Sequence, residues 1–204
     1  MARKLIILAF VLGLGLAVTG VASARWFNVI RGTPGDDVIA GTVHRDLVLA
    51  YAGNDQVSTA EGRDIVFAAR GNDTVDGGPG FDRIFGGAGD DTLSAADGGA
   101  VVWGGPGNDT LNAGPDGRNR IHGGPGNDTV NGGVSRDFLW GGLGADTEYG
   151  GDGDDVLHAL ARDGQVDTLD CGPGDHDVAY LRAGENDVTV NCEVVRTLSI
   201  GSDG

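Results

Sequence analysis

Lysine is almost missing from this chain of 204 residues: Lys4 is the only one among 14 basic side chains. Glutamate is scarce as well, at 4 of the 30 acids, the rest being aspartate. Aromatic residues make up 6%, and there are two cysteines. Each shortage excludes something. A Walker loop needs a lysine on the nucleotide phosphates, and none is available beyond Lys4. No His-Glu-x-x-His occurs, and His44, His122, His158 and His176 are scattered without zinc-ligand spacing. Ser135 sits in "GVSRD", which lacks the closing glycine of a nucleophile elbow. Long helices favour Glu over Asp, and 39 glycines leave little to build one from. The net charge of -16 argues against nucleic acid and against anionic membranes as partners.

The one long apolar stretch, Leu5 to Val18, is preceded by Arg3 and Lys4 and closed by Ala22-Ser23-Ala24. That is the form of a cleavable secretory leader over residues 1–24, too short and wrongly flanked for a membrane anchor. The expected location is therefore extracellular, with residues 25–31 as a lead-in. Loss of Arg3 and Lys4 would take the charge from -16 to -18, two positive charges fewer.

What the chain does have is a period of nine. "GGPGNDTLN" at Gly104 to Asn112 returns as "GGPGNDTVN" at Gly123 to Asn131. Framed from Gly32, nine units run to Asn112, Ala113 is one extra residue, and five more units reach His158. The sixth position is Asp in 12 of these 14 units, with Ala100 and Asn119 as exceptions. The fourth is Gly in 12, missing at His44 and Ser135; the eighth is aliphatic in 13, with Glu148 the lapse. Disorder would suit an acidic, Gly-rich composition, but apolar residues recurring in phase require something that buries them.

The pattern Gly-Gly-x-Gly-x-Asp-x-aliphatic-x resembles the calcium-binding nonapeptide of the RTX (hemolysin-type) family. The resemblance covers about two thirds of the chain. It implies an all-β, right-handed parallel β-roll (a β-solenoid) over residues 32–158, of about seven two-strand coils. In that family six residues turn, three form a strand, and calcium sits between turns on neighbouring coils. The chemistry points the same way independently. Glycine lets backbone carbonyls approach an ion, and aspartate adds hard anionic oxygen, the ligand set that Ca²⁺ prefers. The inward aliphatic column stacks into a thin core that no single unit could form alone.

If two units make one coil, alternate units fall on opposite edges. One edge then carries Asp37, Asp55, Asp73, Asp91, Asp109, Asp128 and Asp146, with Gly71, Gly89, Gly107, Gly126 and Gly144 two positions before the later ones. These are the candidate calcium ligands. The opposite edge carries Asp46, Asp64, Asp82, Ala100, Asn119, Asp137 and Asp155, and an arginine precedes several of them: Arg45, Arg63, Arg118 and Arg136. Arginine–aspartate pairing is expected to replace calcium on this second edge. Its outward positions should also stack Phe67, Phe85, Trp103, His122 and Trp140 into a ladder, either as structure or as a protein- or glycan-binding face.

Beyond His158 the period fails, and residues 159–204 read as a short β cap over the open end of the roll. Cys171 and Cys192 should form a disulfide in an exported protein, free thiols being the alternative. The expectation for function is a secreted, non-enzymatic protein that binds several Ca²⁺ ions and folds on them. The other readings are an adhesion or assembly module using the Phe67/Phe85/Trp103/Trp140 face, and a hydrolase built on paired aspartates.

Overall fold

The computed structural model describes Lys4–Leu5 and residues 27–199. Apart from Lys4–Leu5, which form a short strand beside Asp37–Val38, the expected leader lies outside the described residues. The chain is all-β: two ten-stranded parallel sheets into which successive strands are dealt alternately. Sheet A contains Asp37–Ala40, Thr74–Asp76, Thr110–Asn112 and Thr147–Gly151; sheet B contains Asp46–Leu49, Asp82–Ala88, Arg120–Pro125 and Val156–Ala159, among others. No helix among the described residues is long and apolar enough to cross a membrane.

Within the repeats the strands run from three residues, as at Thr110–Asn112, to seven, as at Asp82–Ala88, and a turn closes each nonapeptide. The eighth-position side chains point inward and stack in register, Val57 on Val75 on Leu93 on Leu111 on Val130 in sheet A. Val66, Ile84, Val102, Ile121 and Leu139 do the same in sheet B. All of these are buried. Each contributes about 1.5–3 kcal/mol of hydrophobic stabilisation, modest for a coil of some eighteen residues. The core is one residue wide per sheet, so it cannot also tolerate unbalanced charge.

Glycine at the fourth position keeps the coils close. Gly107 has φ of 144°, and a Cβ there would collide with the carbonyl of Gly89 one coil earlier. The extra Ala113 is absorbed without loss of register, since Thr110–Asn112 still pairs with Thr129–Asn131.

Two expectations need correcting. The roll is longer than seven coils: about ten turns are present. Residues 166–199 extend it as well, since Thr168–Asp170 and Val188–Val190 add to sheet A, and Val178–Arg182 and Val194–Leu198 to sheet B. The tail is more of the same stack. Its period is hidden by a longer connection before Thr168, after which "GPGDHDVAY" at Gly172–Tyr180 restores the sixth and eighth positions as Asp177 and Ala179, out of phase and with Asp175 where the fourth-position glycine would be. Cys171 and Cys192 are joined, tying together the last coils of the stack.

Candidate metal-binding turns

Every sixth-position aspartate sits where its turn enters a strand, and every one is buried. One carboxylate oxygen is held the same way throughout. Oδ1 of Asp109 accepts the backbone N–H of Asp91 at 2.8 Å, and Oδ1 of Asp128 accepts that of Asp109 at 2.8 Å. The ladder runs unbroken from Asp37 through Asp146 to Asp167. All seven predicted aspartates therefore fall into one file, with Gly71, Gly89, Gly107, Gly126 and Gly144 in the turns just before.

The second oxygen is the chemically informative one. Oδ2 of Asp55, Asp73, Asp91, Asp109, Asp128 and Asp146 is buried and receives no hydrogen bond. Its surroundings are other oxygens. A Cβ placed on Gly104 would press on both Asp109 Oδ2 and the Gly123 carbonyl; on Gly86 it would meet Asp91 Oδ2 and the Gly104 carbonyl. A buried acceptor without a donor costs about 1–3 kcal/mol, and more when charged. Two ionised carboxylates at the strand spacing of about 4.8 Å repel by about 3 kcal/mol at an effective dielectric of about 20. Repulsion of that size on each of two edges is comparable to what a coil gains from its aliphatic pair. The row requires protons or cations.

The carboxyl pKa values state the same demand. Burial pushes Asp91 and Asp128 up to about 7, and Asp55, Asp109 and Asp146 up to about 6, from an ordinary 3.8. The backbone N–H from the preceding coil opposes the rise without cancelling it. Neighbouring carboxylates raise Asp91 and Asp128 further.

The opposite edge is built alike. Asp46 N–H donates to Asp64 Oδ1, and Asp137 N–H to Asp155 Oδ1, each at 2.8 Å. Oδ2 of Asp64, Asp82, Asp137, Asp155 and Asp177 is buried and bare. Burial again raises Asp82, Asp137 and Asp155 to about 7. The expected arginine–aspartate pairs are absent among the described residues. Among the described residues the one ion pair is His176–Asp154 at 3.6 Å. Arg45 lies over the Phe27 ring at 4.3 Å, Arg63 over Phe81 at 5.3 Å and Arg136 over Phe138 at 5.5 Å. The reason is direction: the aspartate points into the roll, while the residue just before it points out along the coil surface. The sequence analysis places these carboxylates on the second edge but gives them arginine partners, which the structure does not show.

Asn119 shows what the oxygens converge on. Its amide Nδ2 donates to the Gly117 carbonyl at 3.1 Å, the Gly132 carbonyl at 3.3 Å and Asp137 Oδ1 at 3.0 Å. At this one turn a neutral donor stands among two backbone carbonyls and a carboxylate. Where aspartate replaces Asn119, the same kind of position holds a fourth oxygen and no hydrogen. Carboxylates plus carbonyls form a hard-oxygen donor set that fits Ca²⁺. No three His, Cys, Asp or Glu side chains cluster among the described residues, so backbone carbonyls must supply much of any such shell.

The edges differ outside the carboxylate file. On the first edge the fifth-position residues make a second ladder: Asn72 N–H to Asn54 Oδ1 at 2.8 Å, Asn108 N–H to Asp90 Oδ1 at 2.8 Å, Asn127 N–H to Asn108 Oδ1 at 2.8 Å. The arginine-bearing edge has no counterpart among the described residues. Glu148, the lapse in the aliphatic column, is wholly buried; its carboxyl accepts the N–H groups of Gly141 and His158 and is pushed up to about 8 by burial.

A parallel two-sheet solenoid whose turns present buried carboxylates to backbone carbonyls defines a class: the acidic-turn β-roll. Within it, residues 31–66, 67–99, 101–116, 114–148 and 149–163 match the RTX calcium-binding nonapeptide repeat, and the chain belongs to that family. No curated protein matches the chain.

Proposed function

We propose that this chain is a secreted, non-enzymatic protein that binds several calcium ions in the turns of its roll and folds on binding them. The single observation that carries the reading is the file of buried, donorless Oδ2 atoms on each edge. Membership of a calcium-binding repeat family supports the choice of metal. Calcium supplies two positive charges per site and accepts irregular shells of six to eight oxygens. The chain's own part is to hold Oδ1 by a backbone N–H, leave Oδ2 free, and bring carbonyls near through close glycine turns. Because the sites exist only when coils stack, binding energy is folding energy.

Carboxylates with a bare Oδ2 lie on both edges, so the binding set widens beyond the first edge to Asp64, Asp82, Asp137, Asp155 and Asp177, while Asp37 Oδ2 already accepts the Thr33 N–H. Export is supported by the leader-like first 24 residues and by the Cys171–Cys192 bridge, which suits an oxidising compartment. Affinity in the range of about 10⁻⁴–10⁻³ M typical of extracellular modules would keep the chain unfolded before export and folded after it.

The test is a calcium titration of the leader-free chain, followed by circular dichroism and calorimetry. A strand spectrum that builds up with calcium, with several ions bound, is expected. The same spectrum in excess chelator at neutral pH would end the proposal. N-terminal sequencing of protein recovered from the medium tests the cleavage after Ala24.

A further inference from the structure

The outward face of sheet B gathers what the rest of the chain lacks. Of the arginines from Arg31 to Arg196, all but Arg162 lie on a sheet B strand or in the turn leading into one; sheet A strands have none. A shallow groove of about 800 Å³ runs along this face, and none of its lining residues is acidic. In a chain with 30 acids and a net charge of -16, that is a pronounced segregation. Arg83, Arg120 and Arg136 line it, exposed and outside any ion pair among the described residues. Arg120 and Arg136 rest over Phe138 at 5.9 and 5.5 Å, an arrangement that steadies each guanidinium and leaves its N–H fork free.

The groove's other wall is the aromatic ladder. Phe85 stacks on Trp103 at 4.6 Å, His122 on Trp140 at 4.3 Å, Trp140 on His158 at 4.7 Å and His158 on Tyr180 at 5.1 Å, all nearly parallel. The ring faces are therefore taken by one another. What points outward is the ring edge, the positive rim of the quadrupole, together with polar handles on Trp and Tyr. An edge-on ladder favours anions as the arginines do. The carboxylates that begin these same strands, Asp82, Asp137 and Asp155, are buried inside. Those of sheet A lie a sheet-to-sheet distance of about 10 Å or more away, near the Debye length at physiological salt, so the local charge decides.

We infer that this groove binds an acidic polysaccharide. The site is straight, open and continuous across several coils, so it suits a linear ligand. Single-stranded nucleic acid is disfavoured because its bases need aromatic faces, which the stack has consumed. A peptide strand is disfavoured because the groove crosses a sheet face whose backbone groups already serve the ladders, whereas strand addition needs an edge. A chain of hydroxyls and anionic groups matches a surface of guanidinium forks and ring edges without deep apolar pockets.

Binding of short oligogalacturonates, dextran sulfate, neutral dextran and oligo-dT to the calcium-loaded chain would be measured by calorimetry, with dichroism confirming the fold in each buffer. Oligogalacturonate or dextran sulfate should bind, the comparison telling carboxylate from sulfate. Arg83→Gln/Arg120→Gln/Arg136→Gln together should weaken that binding at least about tenfold. Arg136→Gln alone should show part of the loss, and Arg70→Gln, outside the groove, none. No binding by either acidic glycan, equal binding by the triple variant, equal binding of neutral dextran, or tighter binding of oligo-dT would each overturn the assignment.

Discussion

Asp109 and Asp137 begin strands on opposite sheets, and from the inside they are hard to tell apart. Both are buried, both accept a backbone N–H from the preceding coil through Oδ1, and both leave Oδ2 bare. One residue outward they diverge. Asp109 is preceded by Asn108, which belongs to a file of side chains hydrogen-bonded from coil to coil, and followed by Thr110. Asp137 is preceded by Arg136 and followed by Phe138, which stack on each other at the border of the groove. The inward positions serve the stack and have little freedom: a change there strands a charge or collides with the next coil. Outward positions face solvent, so one edge could turn polar and self-bonded while the other collected arginines and rings.

The comparison breaks most completely if charge does not control the inside. In chelator at neutral pH, the strand spectrum should be lost. Acid should restore it. Asp91, Asp128, Asp137 and Asp155 stand near 7 in the roll against 3.8 ordinarily. Between those pH values the folded chain binds more protons than the unfolded one, so metal-free stability grows as pH falls from 7 toward 4 and is lost as pH rises through 7. A dichroism series in chelator checks this; a metal-free chain that is most ordered at high pH would contradict it.

Next in size are Asp109→Ala and Asp137→Ala. Each should lose about 2–4 kcal/mol in calcium, lowering Tm by roughly 5–15 °C, with a fall in bound ions. Similar losses would establish that the edges work alike. A loss confined to Asp109→Ala would restore the division into a calcium edge and an arginine edge.

Asp109→Asn sharpens the point. An amide there should behave like Asn119, donating where a cation would sit, so calcium uptake falls while the chain in chelator becomes more resistant to heat. Loss of stability in chelator would remove Asn119 as a neutral substitute for the ion. The smallest change should come from Asn119→Asp: one more ion by calorimetry, little shift of Tm in calcium, and a lower Tm without it.

Much of this was legible in the residues. The period of nine, the aliphatic column, the aspartate file on the first edge and the ring ladder all follow from one-dimensional spacing. A parallel solenoid repeats its side-chain directions every coil, so position in the unit fixes inside or outside. The ladder from Phe67 to Trp140 was found in register and continues through His158 to Tyr180. Other features needed three dimensions. That Arg136 stacks on Phe138 instead of pairing with Asp137 depends on the angle between adjacent side chains on a turn, which spacing does not encode. That residues 166–199 continue the stack depends on a connection long enough to hide the period yet folded so that Asp167 and Asp177 land in line. The role of Asn119 emerges only where its amide meets Gly132 and Asp137, thirteen and eighteen residues away. Sequence settled which side chains face inward, because the repeat imposes it; tertiary structure decided what each one meets there, because its partners belong to other coils.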